Sequence, residues 1–434
     1  MYENRIQHRK RFVNNYEVIF LEKQTKAPGI NTALLHGAAE QEKFGSTLPP
    51  VYQVSAFTHP SAEELERVFH HQASGYAYTR IGNPTAASLE SRLSAIEGGI
   101  GAVACASGMG AISMALLNIL SSGDEVIASS CLFGGTIDLF GDFERLGIHT
   151  KFVVDMTPEA VEPLITERTK VIFTEVIGNP KLNVVDVQAM AELAHSHGLP
   201  LFVDSTTATP CLIHPFSLGA DVVIHSTSKY IGGSGNAISG VIIDSGRFRW
   251  TKERYPVLER YLKYGPMAYL VRLRDDTWRN FGPCPAPMNM YLGVLGLETL
   301  GLRMERLCQN ALGLAMALEE SDRFGAVAYP GLESSPWHKI AVRQLAQGQF
   351  GAILTVRCGS KERAFSVINH LKYAVNASNI GDVRTLVIHP ASTIYAFNTE
   401  QERLDAGVYD DLIRVSVGLE DLEDLIEDFM QAAQ

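Results

Sequence analysis

Short apolar segments alternate with longer amphipathic ones between residues 88 and 245. The apolar segments are rich in Val and Ile and predict strands, whereas apolar side chains at three- to four-residue spacing predict the helices between them. Helices that connect consecutive strands in this way make right-handed crossovers, so we expect an α/β fold with a mainly parallel sheet and helices on both faces. The predicted strands are 101–108, 124–130, 151–155, 170–176, 200–205 and 221–226. The predicted helices are 85–98, 110–123, 136–147, 157–167 and 186–198.

The pattern changes after Trp250. A long helical stretch over residues 287–321 repeats apolar side chains at three- to four-residue spacing and could bridge two domains. Beyond Pro330, alternating segments at 351–358 and 412–418 are separated by helical ones. The last third of the chain therefore predicts a smaller α+β domain.

Composition narrows the class of protein. The chain has 434 residues, of which 46% are hydrophobic, which is enough for two domains with substantial cores. A net charge of −11 disfavours nucleic acid as the main partner. The six cysteines have neither CxxC pairs nor metal-ligand spacing, so we expect free thiols and no metal site. The most apolar stretch, around residues 110–120, is too short to span a membrane.

The first 28 residues combine a basic patch at residues 8–11 with a short apolar run that Glu17 and Glu22 interrupt. This run lacks the continuous apolar core of a signal peptide, and a mobile arm is the expected structure. We therefore expect the protein in the cytoplasm, without membrane attachment.

Polar residues follow four of the predicted strands, at the edge of a parallel sheet where ligands bind. After the first strand, Gly108 and Gly110 open a helix whose free N–H groups suit a phosphate, although a tight turn also requires glycine. Asn179 precedes Pro180 after the strand at 170–176, and it is either a ligand residue or a turn asparagine.

Asp204 and Lys229 follow the next two strands. An aspartate directly after a buried Leu-Phe-Val segment is costly unless it meets a cation or a donor, so Asp204 either caps a turn or holds a protonated ring nitrogen. Burial lowers the pKa of a lysine amine and makes it a better nucleophile. Ser226 and Ser228 supply hydroxyl donors beside Lys229.

These features fit pyridoxal 5'-phosphate when they occur together in this order. A lysine forms a Schiff base with the cofactor, an aspartate keeps the ring nitrogen protonated, and a glycine-containing loop anchors the phosphate. A phosphate-binding dehydrogenase is the alternative from the sheet alone, but residues 106–112 lack a full GxGxxG motif.

Eight segments, spread over almost the whole chain from Asn31 to Asp428, resemble the Cys/Met-metabolism group of fold-type I pyridoxal-phosphate enzymes, and within it the O-acetylhomoserine sulfhydrylases. They are 76-YAYTRIGNPT-85, 107-SGMGA-111, 132-LFGGT-136, 201-LFVDSTTATP-210, 225-HSTSKYIGG-233, 329-YPGLESSPWH-338, 388-IHPAST-393 and 412-LIRVSVGLED-421.

The resemblance implies a role for individual residues. Lys229 would carry the cofactor, Asp204 would pair with its ring nitrogen, and Phe133 would stack on its ring. The phosphate would be held by Gly108, Met109, Ser226 and Ser228, with Tyr78 and Arg80 reaching in from a neighbouring subunit. Arg414 would bind the substrate carboxylate, and Asn179 and Asn379 would lie near that carboxylate. Asn179 would also approach the cofactor.

The resemblance also implies the organisation of the chain. Residues 1–80 would form an N-terminal arm that contributes to a neighbouring subunit, residues 81–285 the cofactor-binding domain, and residues 286–434 the C-terminal domain. Shared active sites would make the protein an obligate dimer, usually assembled as a tetramer.

Three positions depart from the family pattern. Phe133 stands where much of the family has a tyrosine that can pass protons, so either Lys229 handles those protons alone or another hydroxyl substitutes. Gly135 stands where methionine γ-lyases of the family carry a cysteine. Ile394 and Tyr395 replace the usual Thr-His after 388-IHPAST-393, which affects the expected substrate entrance.

The implied reaction is γ-replacement, in which O-acetyl-L-homoserine and sulfide give L-homocysteine and acetate, a step of methionine biosynthesis. The alternatives left open are a γ-lyase acting on methionine, an O-succinylhomoserine sulfhydrylase and a cystathionine γ-synthase-like enzyme that uses cysteine. A non-catalytic cofactor-binding protein is disfavoured because Lys229, Asp204 and Arg414 are all present.

Overall fold

The computed structural model describes residues 28–38 and 44–434. The larger sheet has seven strands: β1 (Gly101–Cys105), β2 (Glu125–Ser129), β3 (His149–Val153), β4 (Thr169–Glu175), β5 (Leu201–Asp204), β6 (Val222–His225) and β7 (Gly240–Asp244). Their order across the sheet is β1-β7-β6-β5-β4-β2-β3. Strands β1 to β6 share one direction, which confirms the predicted mainly parallel sheet.

Strand β7 was missed by the sequence prediction. It lies between β1 and β6 and is antiparallel to both. A parallel neighbour needs a crossover connection of a dozen or more residues, usually helical. Because no helix separates β6 from β7, the chain turns back through the glycine-rich segment at residues 232–235 and enters the sheet in the opposite direction.

Helices accompany this sheet, and several of them cover its two faces. In chain order they are α1 (Ile30–His36), α2 (Ala62–Phe69), α3 (Pro84–Glu97), α4 (Gly108–Leu117), α5 (Gly134–Arg145), α6 (Pro158–Val161), α7 (Val187–Ser196), α8 (Thr209–Leu212), α9 (Ala268–Arg272) and α10 (Trp278–Phe281). Shorter 3₁₀ turns cover Glu162–Leu164 and Pro215–Leu218, a longer 3₁₀ stretch covers Pro256–Met267, and a π turn covers Leu273–Thr277. None of the helices within the described ranges is long and apolar enough to cross a membrane.

The smaller, C-terminal sheet has five strands: β8 (Val327–Ala328), β9 (Ile353–Arg357), β10 (Val375–Asn376), β11 (Leu386–Ile388) and β12 (Leu412–Ser416), in the order β10-β11-β12-β9-β8. The associated helices are α11 (Pro287–Glu298), α12 (Leu300–Glu319), α13 (His338–Gln344), α14 (Lys361–His370), α15 (Glu400–Asp405) and α16 (Leu422–Ala432), with a 3₁₀ turn at Pro390–Ser392. The predicted α+β organisation is confirmed.

Most predicted boundaries shift by a few residues, and three of the differences have an evident structural cause. Strand β3 begins two residues before the predicted segment, since His149 pairs with Glu125 at the start of β2. Pro163 divides the helix predicted at 157–167 into α6 and a 3₁₀ turn. The helical stretch at 287–321 is two helices that meet at Thr299. Helix α11 packs on α3 and α12 packs on β9 and α16, so the pair bridges the two domains as predicted.

The apolar core consists of one large cluster on each face of the seven-stranded sheet. Val203 and Val223 point into one cluster, and Phe202 and Ile224 point into the other. The first cluster continues into the C-terminal domain, where Leu354 belongs to it. The two sheets are therefore joined by shared apolar packing. This packing fixes the relative position of the two domains at the groove between them, which is the place where Lys229, Asn379 and Arg414 lie.

The N-terminal part of the chain contributes to this core through α1, where Leu34 is buried against α12 and α3. The basic patch predicted at residues 8–11 lies outside the described residues. The division at residues 80 and 285 stays a prediction.

Candidate active site

Residues that follow β4 and β6 contact residues of the C-terminal domain. Lys229 follows β6, and its Nζ donates a hydrogen bond to Asn379 Oδ1 at 2.5 Å. Arg414 lies in β12 and donates to Asn179 Oδ1 at 3.3 Å and to the Asn379 carbonyl oxygen at 2.9 Å. The structure thus brings together four residues predicted from three distant parts of the chain.

Lys229 has the properties of a nucleophilic amine. Burial in the groove, and secondarily the positive charge of Arg414, lower the pKa of Lys229 to about 8. At that pKa a useful fraction of the amine is unprotonated near neutral pH.

Arg414 is a buried cation without a partner anion. Its side chain is 3% exposed, and no ion pair to a carboxylate forms within residues 28–38 and 44–434. Its Nε has no hydrogen-bond partner there either. Burial lowers the pKa of Arg414 to about 10, which still leaves it charged. A buried charge of this kind is costly unless an anion joins it, so the site suits the carboxylate of a ligand.

Asp204 ends β5 beside Glu175, which ends β4 in the same register. The backbone N–H of Thr206 donates to Asp204 Oδ1 at 2.9 Å and opposes the rise in pKa that burial causes for Asp204. Burial, and then the charge of Asp204, raise the pKa of Glu175 well above its ordinary value. Of this acidic pair, Asp204 is the member predicted to hold a protonated ring nitrogen, and burial raises the pKa of both carboxyls.

The loop after β1 forms another part of the candidate site, beside Ser226. Ser107 Oγ accepts the Gly110 N–H at 3.0 Å and caps α4, and the start of such a helix suits an anion. A Cβ at Gly108 would lie 2.6 Å from the Cβ of Ser226, so only glycine allows this close approach. The half-buried Met109 belongs to the same first turn. This loop and Ser226 lie in contact, and their backbone N–H groups and hydroxyl are donors that suit a phosphate.

The hydroxyl of Ser228, which was also predicted to bind the phosphate, forms two hydrogen bonds with Ser239. Its Oγ donates to the Ser239 carbonyl and accepts the Ser239 N–H, both at 2.9 Å. These bonds tie the turn that carries Lys229 to the start of β7. The sequence analysis did not foresee this use of Ser228, because β7 was not predicted.

Tyr78 and Arg80 lie on the surface of this chain. Tyr78 is 42% exposed, and the Arg80 guanidinium lies 5.5 Å from the centre of its ring. Arg80 also donates to the Arg279 carbonyl at 2.8 Å. The predicted contact of this pair with a neighbouring subunit stays a prediction.

Phe133 stands at the start of α5, with 37% of its surface exposed. Its N–H donates to Glu175 Oε1 at 2.7 Å, and the carbonyl of the preceding Leu132 accepts the Tyr395 hydroxyl at 2.9 Å. The sequence analysis assigned no role to Glu175 or Tyr395. An acid at the end of an apolar strand was the available signal for Glu175, as it was for Asp204.

The residues present fit pyridoxal 5'-phosphate. Lys229 offers an amine of lowered pKa, and Gly108 allows the loop after β1 to approach Ser226 closely. Asp204 offers a buried carboxylate at the next strand end, and Arg414 leaves a buried charge free for an amino-acid carboxylate.

Comparison with known proteins agrees with this geometry. The model of the family described as Cys/Met metabolism PLP-dependent enzyme matches residues 31–434. The homocysteine synthase of Schizosaccharomyces pombe is 41% identical, over 93% of this chain and 97% of its own. An O-acetyl-L-homoserine sulfhydrylase of Leptospira meyeri is 37% identical, over 92% and 96% of the two chains. An L-methionine gamma-lyase of Fusobacterium nucleatum subsp. polymorphum is also 37% identical, over 95% and 99%.

A solved structure shows the same fold. A Campylobacter jejuni protein described as an O-acetylhomoserine (thiol)-lyase superposes with a TM-score of 0.89 and 32% sequence identity, covering 94% of this chain and all of the other. That structure contains N'-pyridoxyl-lysine-5'-monophosphate, which is a lysine joined covalently to the cofactor.

Proposed function

The chain belongs to the Cys/Met metabolism PLP-dependent enzyme family, and from this we propose that it converts O-acetyl-L-homoserine and sulfide to L-homocysteine and acetate. The observation that carries the proposal is the buried Arg414 guanidinium, which has no carboxylate partner in the described chain and lies at the same groove as Lys229. The names of the similar homocysteine synthases and sulfhydrylases support the choice of substrates and a place in methionine biosynthesis.

Pyridoxal 5'-phosphate, when bound, supplies an aldehyde that bonds to amines and a protonated ring that accepts electrons from the carbons next to the substrate amine. Lys229 is the amine that would hold it covalently, and Asp204 would accept the hydrogen bond of its ring nitrogen. The backbone at Gly108 and Met109 and the hydroxyl of Ser226 would bind the phosphate. The hydroxyl of Ser228 would join them only by turning its hydrogen away from the Ser239 carbonyl.

Arg414 and Lys229 have different roles towards the substrate: Arg414 binds it, and Lys229 transfers its protons. Arg414 holds the α-carboxylate, with Asn179 and Asn379 fixing the direction of the guanidinium. Lys229, once the substrate amine has replaced it, takes the α-proton and then moves a proton at Cβ. Acetate leaves from Cγ, hydrosulfide bonds to the same carbon, and Lys229 returns the protons in reverse order.

Lys229 performs these proton transfers without help from a hydroxyl at residue 133. Phe133 has none, and the nearby Tyr395 hydroxyl is fully buried and donates to the Leu132 carbonyl. Acetate is a good leaving group that needs little protonation, whereas a thiolate leaving from methionine benefits more from an acid. Phe133 therefore favours γ-replacement over the γ-lyase reaction of the Fusobacterium relative.

The test supplies the pure holoenzyme with O-acetyl-L-homoserine plus sulfide in one vessel and with methionine alone in another. Sulfide-dependent homocysteine with little 2-oxobutyrate is the expected result, and Lys229→Ala should abolish it. Release of 2-oxobutyrate from methionine alone would make the protein a γ-lyase. Parallel vessels with O-succinylhomoserine as donor, or cysteine as acceptor, would reveal the other two family reactions.

We further propose a homodimer with shared active sites, paired into a tetramer. Helix α2 buries none of its residues within this chain, and Phe69 at its end is 48% exposed. Exposed apolar surface around Tyr78 and Phe281 suits burial against a second copy. In that dimer Tyr78 and Arg80 would reach the phosphate of the neighbouring subunit.

We also keep the prediction of a cytoplasmic enzyme, because all six cysteines are free thiols.

A further inference from the structure

The peptide group that joins Leu132 to Phe133 is held at both of its polar atoms. Glu175 at the end of β4 accepts the Phe133 N–H at 2.7 Å. The Tyr395 hydroxyl donates to the Leu132 carbonyl at 2.9 Å, and it also lies 3.4 Å from the Asn179 carbonyl. Glu175 and Tyr395 are both buried and come from different domains, so the orientation of this peptide depends on how the domains pack.

The ring of Phe133 lies over Gly135. A Cβ at Gly135 would be 2.7 Å from Phe133 Cε1 and 3.3 Å from Cζ, so any larger residue would displace the ring. Gly134 is similarly confined, since a Cβ there would be 3.0 Å from the Ile394 carbonyl oxygen. The ring position therefore depends on two glycines and on the peptide that precedes the ring.

We propose that Glu175 and Tyr395 are positioning residues, which orient the Phe133 ring against the face of the cofactor by holding the Leu132–Phe133 peptide. The proposal rests on the proposed function only in that Phe133 faces pyridoxal 5'-phosphate. The identity of the substrate does not enter it.

The physical argument concerns what else can orient the ring. A tyrosine at residue 133 could be fixed by a hydrogen bond from its hydroxyl, but a phenylalanine has only its backbone and its apolar contacts. Rotation of the Leu132–Phe133 peptide would break the bonds to Glu175 and Tyr395 together and leave buried polar groups unpaired. On the other side, the Phe133 carbonyl accepts the N–H groups of Thr136 and Ile137 and starts α5. The backbone of Phe133 is thus held on both sides.

The first experiment compares Tyr395→Phe with Tyr255→Phe. Tyr255 is buried like Tyr395 and donates to the Lys170 carbonyl at 2.8 Å, at the opposite end of β4. Apoenzyme is titrated with pyridoxal 5'-phosphate, and visible circular dichroism of the bound cofactor reports its asymmetric surroundings. We expect Tyr395→Phe to weaken binding about three- to tenfold and to change the dichroism per bound cofactor. Tyr255→Phe should lower only the melting temperature, and equal effects of the two variants on the cofactor would overturn the proposal.

The second experiment separates Glu175→Gln from Glu175→Leu. The glutamine amide keeps an oxygen that can accept the Phe133 N–H, whereas leucine cannot accept it. We expect wild-type dichroism and dissociation constant for Glu175→Gln and a loss for Glu175→Leu. A Gln variant as impaired as the Leu variant would show that the carboxyl acts in some other way and would overturn the role of Glu175.

A double-mutant cycle tests whether Tyr395 acts through Phe133. If it does, removing the Tyr395 hydroxyl in a Phe133→Ala background should leave the cofactor dissociation constant within about twofold. An undiminished effect in that background would mean that Tyr395 acts through Asn179, and the proposal would be wrong. Because these readouts use cofactor and not substrate, they stay valid even if O-acetyl-L-homoserine is not the donor.

Discussion

The amine of Lys229 and the amide oxygen of Asn379 lie 2.5 Å apart, although 150 residues separate them in the sequence. Lys229 follows the last parallel strand of the larger sheet, and Asn379 belongs to the C-terminal domain. The hydrogen bond aims the amine into the groove, towards the side where Arg414 lies. The reactive amine is therefore oriented by the domain that also provides the proposed carboxylate site. The position of the amine and the binding of the substrate carboxylate thus depend on the same domain.

The lowered pKa of Lys229 predicts how cofactor uptake depends on pH. An amine must be unprotonated to attack the aldehyde, so the rate at which apoenzyme bonds to pyridoxal 5'-phosphate should rise with pH and level off above about 8. Arg414→Gln removes the positive charge that contributes to the shift and should move the midpoint to higher pH, whereas Arg414→Lys should not. Absorbance in stopped flow measures the rate. A midpoint near 10.5, the ordinary value for lysine, would contradict the prediction.

Replacing Arg414 should damage substrate use more than folding. Lysine keeps the charge but cannot bind a carboxylate through two parallel hydrogen bonds, so we expect Arg414→Lys to lower kcat/KM for O-acetyl-L-homoserine about 30- to 1000-fold. Arg384→Lys is the control, since Arg384 lies in the same domain with an exposed side chain. Steady-state kinetics and thermal denaturation of both variants distinguish the two effects. An Arg414→Lys enzyme with normal kinetics would remove Arg414 from the substrate site.

A methyl group at Gly108 should weaken cofactor binding. The new Cβ would overlap Ser226, and either the turn after β1 or the segment before Lys229 would have to move. We expect Gly108→Ala to raise the dissociation constant of pyridoxal 5'-phosphate at least tenfold, at roughly 1.4 kcal/mol per factor of ten. Gly141→Ala in α5 is the matched control, because nothing lies within 4 Å of its Cβ and alanine favours a helix. Fluorescence titration of the apoenzymes gives both constants, and unchanged binding in Gly108→Ala would argue against a phosphate at this loop.

Shared active sites predict that two inactive variants restore activity when they are mixed. Arg80→Ala and Lys229→Ala should each be inactive or nearly so as pure oligomers. After co-expression, half of the dimers should be mixed, and each mixed dimer should have one site with both residues intact, which gives about a quarter of the wild-type activity. Homocysteine formation by the purified mixture measures this. No recovery in oligomers that demonstrably contain both chains would place Arg80 and Lys229 of each site in one subunit.

Several features of the site follow from short stretches of sequence. Apolar strands followed by Asp204 and Lys229 predicted acidic and nucleophilic groups at one sheet edge, and Gly108 predicted a close approach of the backbone. Such inferences are possible because a buried strand determines locally which side chain emerges at its end. The role of Arg414 came only from the resemblance to a family, since an arginine inside a strand has no local pattern that marks a ligand site.

The sequence by itself determined the order of strands and helices, the residues at the strand ends and the family of the enzyme. Tertiary structure alone decided that β7 enters the sheet antiparallel, that Asn379 meets Lys229, and that Tyr395 reaches the Leu132 carbonyl across 263 residues. The physical reason is the separation along the sequence of the residues that interact. Periodicity and strand-end chemistry depend on neighbouring residues, whereas contacts between distant segments depend on sheet register and on the shared core that joins the two domains.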